Sequence, residues 1–134
     1  RAIARREVQG DVAREKRAIA KLKDELDVNV ELSSPAHFLP ELSDWREMSP
    51  YVGTFGALEV YDYDLRAQAL AKLSRGFERD VLDVHALLDD GAVTVDALRE
   101  AFDAMSSRII RFPRVSAEII RARIEALASR GGKR

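Results

Sequence analysis

The chain has 134 residues, 46% of them hydrophobic and 34% charged, with a formal net charge of −1, which suits one small domain with its own core and excludes wholesale disorder. With no cysteine, disulfides, thiolate metal sites and cysteine nucleophiles are excluded, and a reducing, cytoplasmic setting is expected. No run approaches the roughly 20 apolar residues of a membrane span and no leader-like segment opens the chain, so neither a membrane partner nor export is expected.

The charge is unevenly spread. Residues 1–25 sum to +3, residues 26–107 to −10 and residues 108–134 to +6. The basic end "RIIRFPRVSAEIIRARIEALASRGGKR" suits nucleic acid, an acidic partner or the chain's own acidic middle, and also suits a charged outer helix face. The chain opens on Arg1 rather than a methionine, in sequence that reads as helical.

In chain order, "DVAREKRAIAKLKDEL" places Val12, Ile19, Leu22 and Leu26 on one helical face behind a cap at Asp11. "LDVNVEL" then alternates, with Leu26, Val28, Val30 and Leu32 on one side and Asp27, Asn29 and Glu31 on the other, which predicts a strand. Residues 33–50 hold three prolines and no clear period, so a loop with short turns is expected there. "YVGTFGALEVYDYD" reads as a hairpin about Gly56.

The rest reads as helix. Asp64 caps "LRAQALAKLSR", which ends or bends at Gly76; "ERDVLDVHALLDDG" follows, with Val81, Val84 and Leu88 inward. Thr94 caps "TVDALREAFDAM", burying Val95, Leu98, Phe102 and Met105. Beyond Pro113, Ser116 caps a last helix that buries Ile120, Ile124 and Leu127 and stops at Gly131. The expected class is α+β in a single domain, 1–134: a helix plus a small mixed sheet of about three strands over 1–63, then a helical bundle over 64–134.

The chemistry concentrates in "AKLSRGFERDVLDVHALL", residues 71–88. As one continuous helix it puts Lys72, Arg75 and Arg79 on a stripe, with Asp80 and Asp83 on the adjoining face. Such a face holds a polyphosphate or is a ladder of surface ion pairs. Asp27, Asn29 and Glu31 on one sheet face either meet water or supply hard oxygen ligands to Mg²⁺. Asp62 and Asp64 read as a strand end followed by a helix cap, Trp45 as a lid-like packing residue. His37 and His85 have no histidine neighbour that would suggest zinc.

Two segments, "LDVNVELSSPAHFLPELSDWREMSPYVG" and "YDYDLRAQALAKLSRGFERDVLDV", together resemble small bacterial nucleotidyltransferase-like proteins of the DNA polymerase β superfamily, the group with abortive-infection and toxin–antitoxin toxins. The resemblance runs from about Lys21 to Val84 and rests on Lys72-Leu73 followed by Arg79-Asp80-Val81-Leu82-Asp83. It implies an enzyme that transfers a nucleotidyl group from an NTP with Mg²⁺ to an RNA or protein acceptor, with an antitoxin or a second copy as partner. Lys72, Arg75 and Arg79 would contact phosphates, Asp80 and Asp83 would orient those cations, and Asp27 or Glu31 would face the metal. Lys72, Asp80 and Asp83 would then be the catalytic set. The family's Gly-Ser turn and strand-borne Asp-x-Asp are missing: no Gly-Ser occurs, and the only Asp-x-Asp is Asp62-Tyr63-Asp64. The motif is therefore expected upstream of, or near, Arg1, and the chain alone is expected to be inactive. The competing expectation is a non-catalytic interaction module that binds an acidic protein partner or self-associates.

Overall fold

The computed structural model describes residues 2–5, 17, 21 and 38–131. The fold is α+β. Strand β2 (Tyr51–Phe55) turns back into β3 (Leu58–Asp62) through Gly56, whose φ of +64° is one a residue without Cβ adopts freely. The hairpin is antiparallel with a register shift between Tyr51 and Gly53. On the other edge of β3 runs β1 (Ala2–Arg5), also antiparallel, with Ala2 opposite Asp62, so the order is β1-β3-β2.

The hairpin expectation holds, and so does the loop over its described part: residues 38–50 carry turns and no regular helix, while 33–37 lie outside the described residues. The opening residues do not match the helical reading, because Ala2–Arg5 is extended and paired. Its apolar positions are too few to show a period, and the pairing partner lies far along the chain. The strand expected over residues 26–32 lies outside the described residues, as does most of the helix expected before it; Arg17 and Lys21 are helical.

Four helices follow: α1 (Leu65–Arg75), α2 (Glu78–Asp89), α3 (Val95–Ser106) and, after a 3₁₀ turn at Ile109–Arg111, α4 (Ala117–Gly131). Each start and stop has a local cause. The Asp64 carboxylate accepts from the Arg66 amide at 3.0 Å, Thr94 Oγ1 from the Ala97 amide at 3.1 Å and Ser116 Oγ from the Ile119 amide at 3.3 Å. Gly76 closes α1 in the left-handed conformation at φ +70°, its amide donating to the Lys72 carbonyl.

α1 packs against each of the other three helices, and α3 against α4. Leu70 and Leu73 of α1, Val84 of α2, Leu98, Phe102 and Met105 of α3, and Ile120 and Ile124 of α4 are nearly water-free. All but Leu70 are inward positions of the expected stripes; in α1 the expected stripe is Leu65, Ala69 and Leu73, and Leu65 is only partly buried. Leu39, Leu42 and Tyr63 carry the core under the loop, and Trp45 packs on it with its ring 5.4 Å from that of Tyr63. Among the described residues no helix is long and apolar enough to cross a membrane.

Candidate functional site at the α1–α2 corner

Gly76 ends α1, one of the two outcomes expected there, so the continuous helix on which the stripe depends is broken. Lys72 and Arg75 therefore sit in the last turn of α1, and Arg79, Asp80 and Asp83 in the first turns of α2. The proposed single stripe does not exist; the corner folds its two halves onto one another instead. Lys72 Nζ donates to Asp83 Oδ2 at 2.7 Å, and Arg75 Nη2 donates to Asp80 Oδ1 at 2.7 Å.

The two pairs differ in environment. Lys72 is largely covered while Asp83 is half exposed; Arg75 is half exposed while the Asp80 side chain is only 8% exposed. The Lys72 hydrogen bond holds the Asp83 carboxyl below the usual range, and the charges of Arg79 and Arg75 act in the same direction. Arg79 is exposed and makes no ion pair among the described residues. Among the described residues Asp80 Oδ2 is buried without a hydrogen-bond partner, and the N-terminus of α2 has no side-chain cap at Phe77. The corner thus gathers three cations, two carboxylates that accept from two of them, and a helix start without a side-chain cap, whose amides favour anions.

A sixth side chain comes from far away. Arg123 of α4 donates from Nη1 to the carbonyls of Leu73 and Ser74, the latter at 3.2 Å, closing the C-terminus of α1. Nothing local in the sequence marks Arg123 among the arginines of that helix, so sequence reading missed it.

Asp62 and Asp64 follow the structural expectation. Asp62 ends β3 and Asp64 is the fully buried cap of α1. Its carboxylate accepts from Arg66 Nε at 3.1 Å and Nη2 at 2.6 Å, while Arg66 Nη2 also donates to Asp44 at 2.8 Å. The Asp64 amide donates to Ser49 Oγ, which donates to the Trp45 carbonyl, so this cluster ties the loop to the helix. A surface depression of about 300 Å³ over it is lined in part by Glu47, Met48, Asp64 and Arg66, and shares no residue with the corner. Its buried carboxylate is engaged by the Arg66 amide and guanidinium.

Asp27 and Glu31, the expected metal ligands, lie outside the described residues, and among the described residues no group of three or more His, Cys, Asp or Glu side chains is placed to hold a metal. Scans of protein-family models, of curated proteins and of solved structures return no match to this chain.

Proposed function

We propose that the α1–α2 corner is the triphosphate-binding wall of a nucleotidyltransferase-like protein, a cytoplasmic toxin of the toxin–antitoxin kind. In its complete form it moves a nucleotidyl group from an NTP to an RNA or protein acceptor. The observation that supports this reading is the pairing across Gly76: Asp83 holds Lys72 and Asp80 holds Arg75, each at 2.7 Å. The resemblance implies that Asp80 and Asp83 orient cations of the phosphate wall, and each of them holds one of these cations, while Arg79 stands apart from both pairs. Lys72 keeps donors free beyond its bond to Asp83, Arg75 keeps most of its fork, and Arg79 is open to an incoming phosphate. The buried, unpartnered Asp80 oxygen is a cost that a purely structural clasp does not require.

Asp27 and Glu31 fit Mg²⁺ by donor chemistry, since this ion takes one or two carboxylates and completes its shell with water and substrate phosphates. When bound, it neutralises charge on the triphosphate. In this reading the strand over residues 26–32 joins the sheet, and the four helices form a bundle beside it.

The test is NTP affinity in the full-length protein with Mg²⁺ present. Lys72→Ala and Arg79→Ala each weaken binding by about tenfold or more, the scale of hydrogen bonds to charged groups, and Asp83→Ala weakens it through Lys72. Unchanged affinity in all three variants reduces the corner to a surface ion-pair ladder, and tighter binding by Asp83→Ala refutes its orienting role.

A second reading, a non-catalytic interaction module, draws on β2, where Tyr51, Val52 and Phe55 are each more than half exposed on an edge strand. Sedimentation over a concentration series, alone and with an acidic polypeptide, checks it. Mass that stays monomeric in both leaves this reading without support.

A further inference from the structure

Most arginines near the C-terminal end have partners. Arg99 bridges Glu125 at 2.9 Å, Arg121 lies 5.2 Å over the Phe102 ring, Arg123 closes α1, and Arg130 reaches Asp89 at 3.5 Å. The connector between α3 and α4 is different. Arg108, Arg111 and Arg114 are all exposed, and none makes an ion pair among the described residues. No acidic residue occurs in sequence between Asp103 and Glu118.

The backbone holds this cluster in place. Ile109 is buried and Val115 packs against the core, so the connector is pinned at both ends while Ile110, at 88% exposed, points out. In a 3₁₀ turn, residues three apart eclipse, and a rise near 2 Å per residue sets Arg108 and Arg111 roughly 6 Å apart on one side. That step is comparable with one nucleotide of an extended strand. Guanidinium forks match phosphate oxygens in pairs, exposed Ser107 and Ser116 add hydroxyl donors beside them, and an outward isoleucine is a side chain that packs on or between bases.

We infer that the α3–α4 connector is a nucleic-acid contact surface, which takes the phosphate backbone of a single strand along Arg108, Arg111 and Arg114 with a base against Ile110. An acidic protein surface would also meet the charge, but the one-nucleotide step from Arg108 to Arg111 and the isolated apolar tip favour a nucleic-acid strand. The surface shares no residue with the α1–α2 corner and does not depend on nucleotide transfer.

The experiment uses the full chain and a fluorescein-labelled 20-nucleotide oligouridine, without NTP, titrated over a salt series. Three phosphate contacts give a slope of log affinity against log salt of about −2, and each single Arg→Gln variant reduces its magnitude by about 0.7. The triple variant loses tenfold or more in affinity at low salt, while Arg99→Gln, whose arginine is already engaged, stays near the wild type. Thermal melting checks that the variants fold; should the triple variant not fold, the single-variant slopes decide. Unchanged slopes and affinities overturn the inference. So does oligoglutamate binding that depends on the same arginines without RNA binding, because the surface then serves an acidic protein. Loss of NTP binding in corner variants with RNA binding intact separates the two proposals.

Discussion

Gly76 carries two constraints at once. Its φ of +70° is strained for any residue with a Cβ, and a Cβ built there would collide with the Arg123 guanidinium. The guanidinium sits on a flexible stem and can retreat, but only by giving up the Leu73 and Ser74 carbonyls. Gly76→Ala is therefore expected to cost about 1–2 kcal/mol from the backbone, plus part of the Arg123 hydrogen bonds at about 1 kcal/mol. Urea unfolding of Gly76→Ala, Arg123→Ala and the double variant measures this. A double variant clearly more stable than the sum of the singles predicts shows that the two residues share one penalty, and strict additivity shows that they do not.

At the scale of elements, α1 begins on a buried charge. Asp64 caps the helix, fixes Arg66 and receives the loop through Ser49. Asp64→Ala removes the cap and leaves a mostly covered guanidinium with only Asp44, for an expected loss of about 2–4 kcal/mol. Asp64→Asn, which keeps one acceptor oxygen, falls between it and the wild type in the same urea titration. The four helices and the hairpin were legible because their signals are local: caps at Asp64, Thr94 and Ser116, a left-handed glycine at Gly56 and Gly76, and apolar residues at helical spacing. The corner was legible as a set of residues but not as a geometry. Treating residues 71–88 as one helix gave a stripe, whereas the break at Gly76 turns the same residues into two facing turns. Arg123 and the pairing of β1 with β3 were not legible, because each depends on a partner dozens of positions away.

For the molecule as a whole, pH dependence reports how its anchors are distributed. Burial, with the charges of Asp64 and Glu41 behind it, pushes the Tyr63 hydroxyl up to about 12 from 10.0. The folded value exceeds the unfolded one, so this contribution to stability is complete below pH 10 and drains away as pH rises to about 12. Tyr63→Phe should flatten the alkaline limb, with urea midpoints at pH 9 and 11.5 as the measurement; equal slopes in both proteins would place the loss elsewhere. The acid side has the opposite sign. Arg66 holds Asp44, Lys72 holds Asp83 and Arg99 holds Glu125 below their usual ranges. Their contribution is present above about pH 4–4.5 and lost as pH falls through the folded values, gently, since all three carboxylates face water.

The sheet also sets an order of assembly. β2 and β3 meet across a two-residue turn, whereas β1 finds a partner in β3 that lies 54 to 60 positions along the chain. Closing the longer loop costs about 3 kcal/mol more in chain entropy than closing the hairpin. The β2–β3 hairpin therefore zips early and β1 docks late, and in native-state fluctuations β1 leaves first, so its amides exchange with deuterium sooner than those between β2 and β3. Each such departure uncovers one edge of β3 for a moment, and the lifetime of that opening, rather than the stability of the helices, sets how often a foreign strand can take the place of β1.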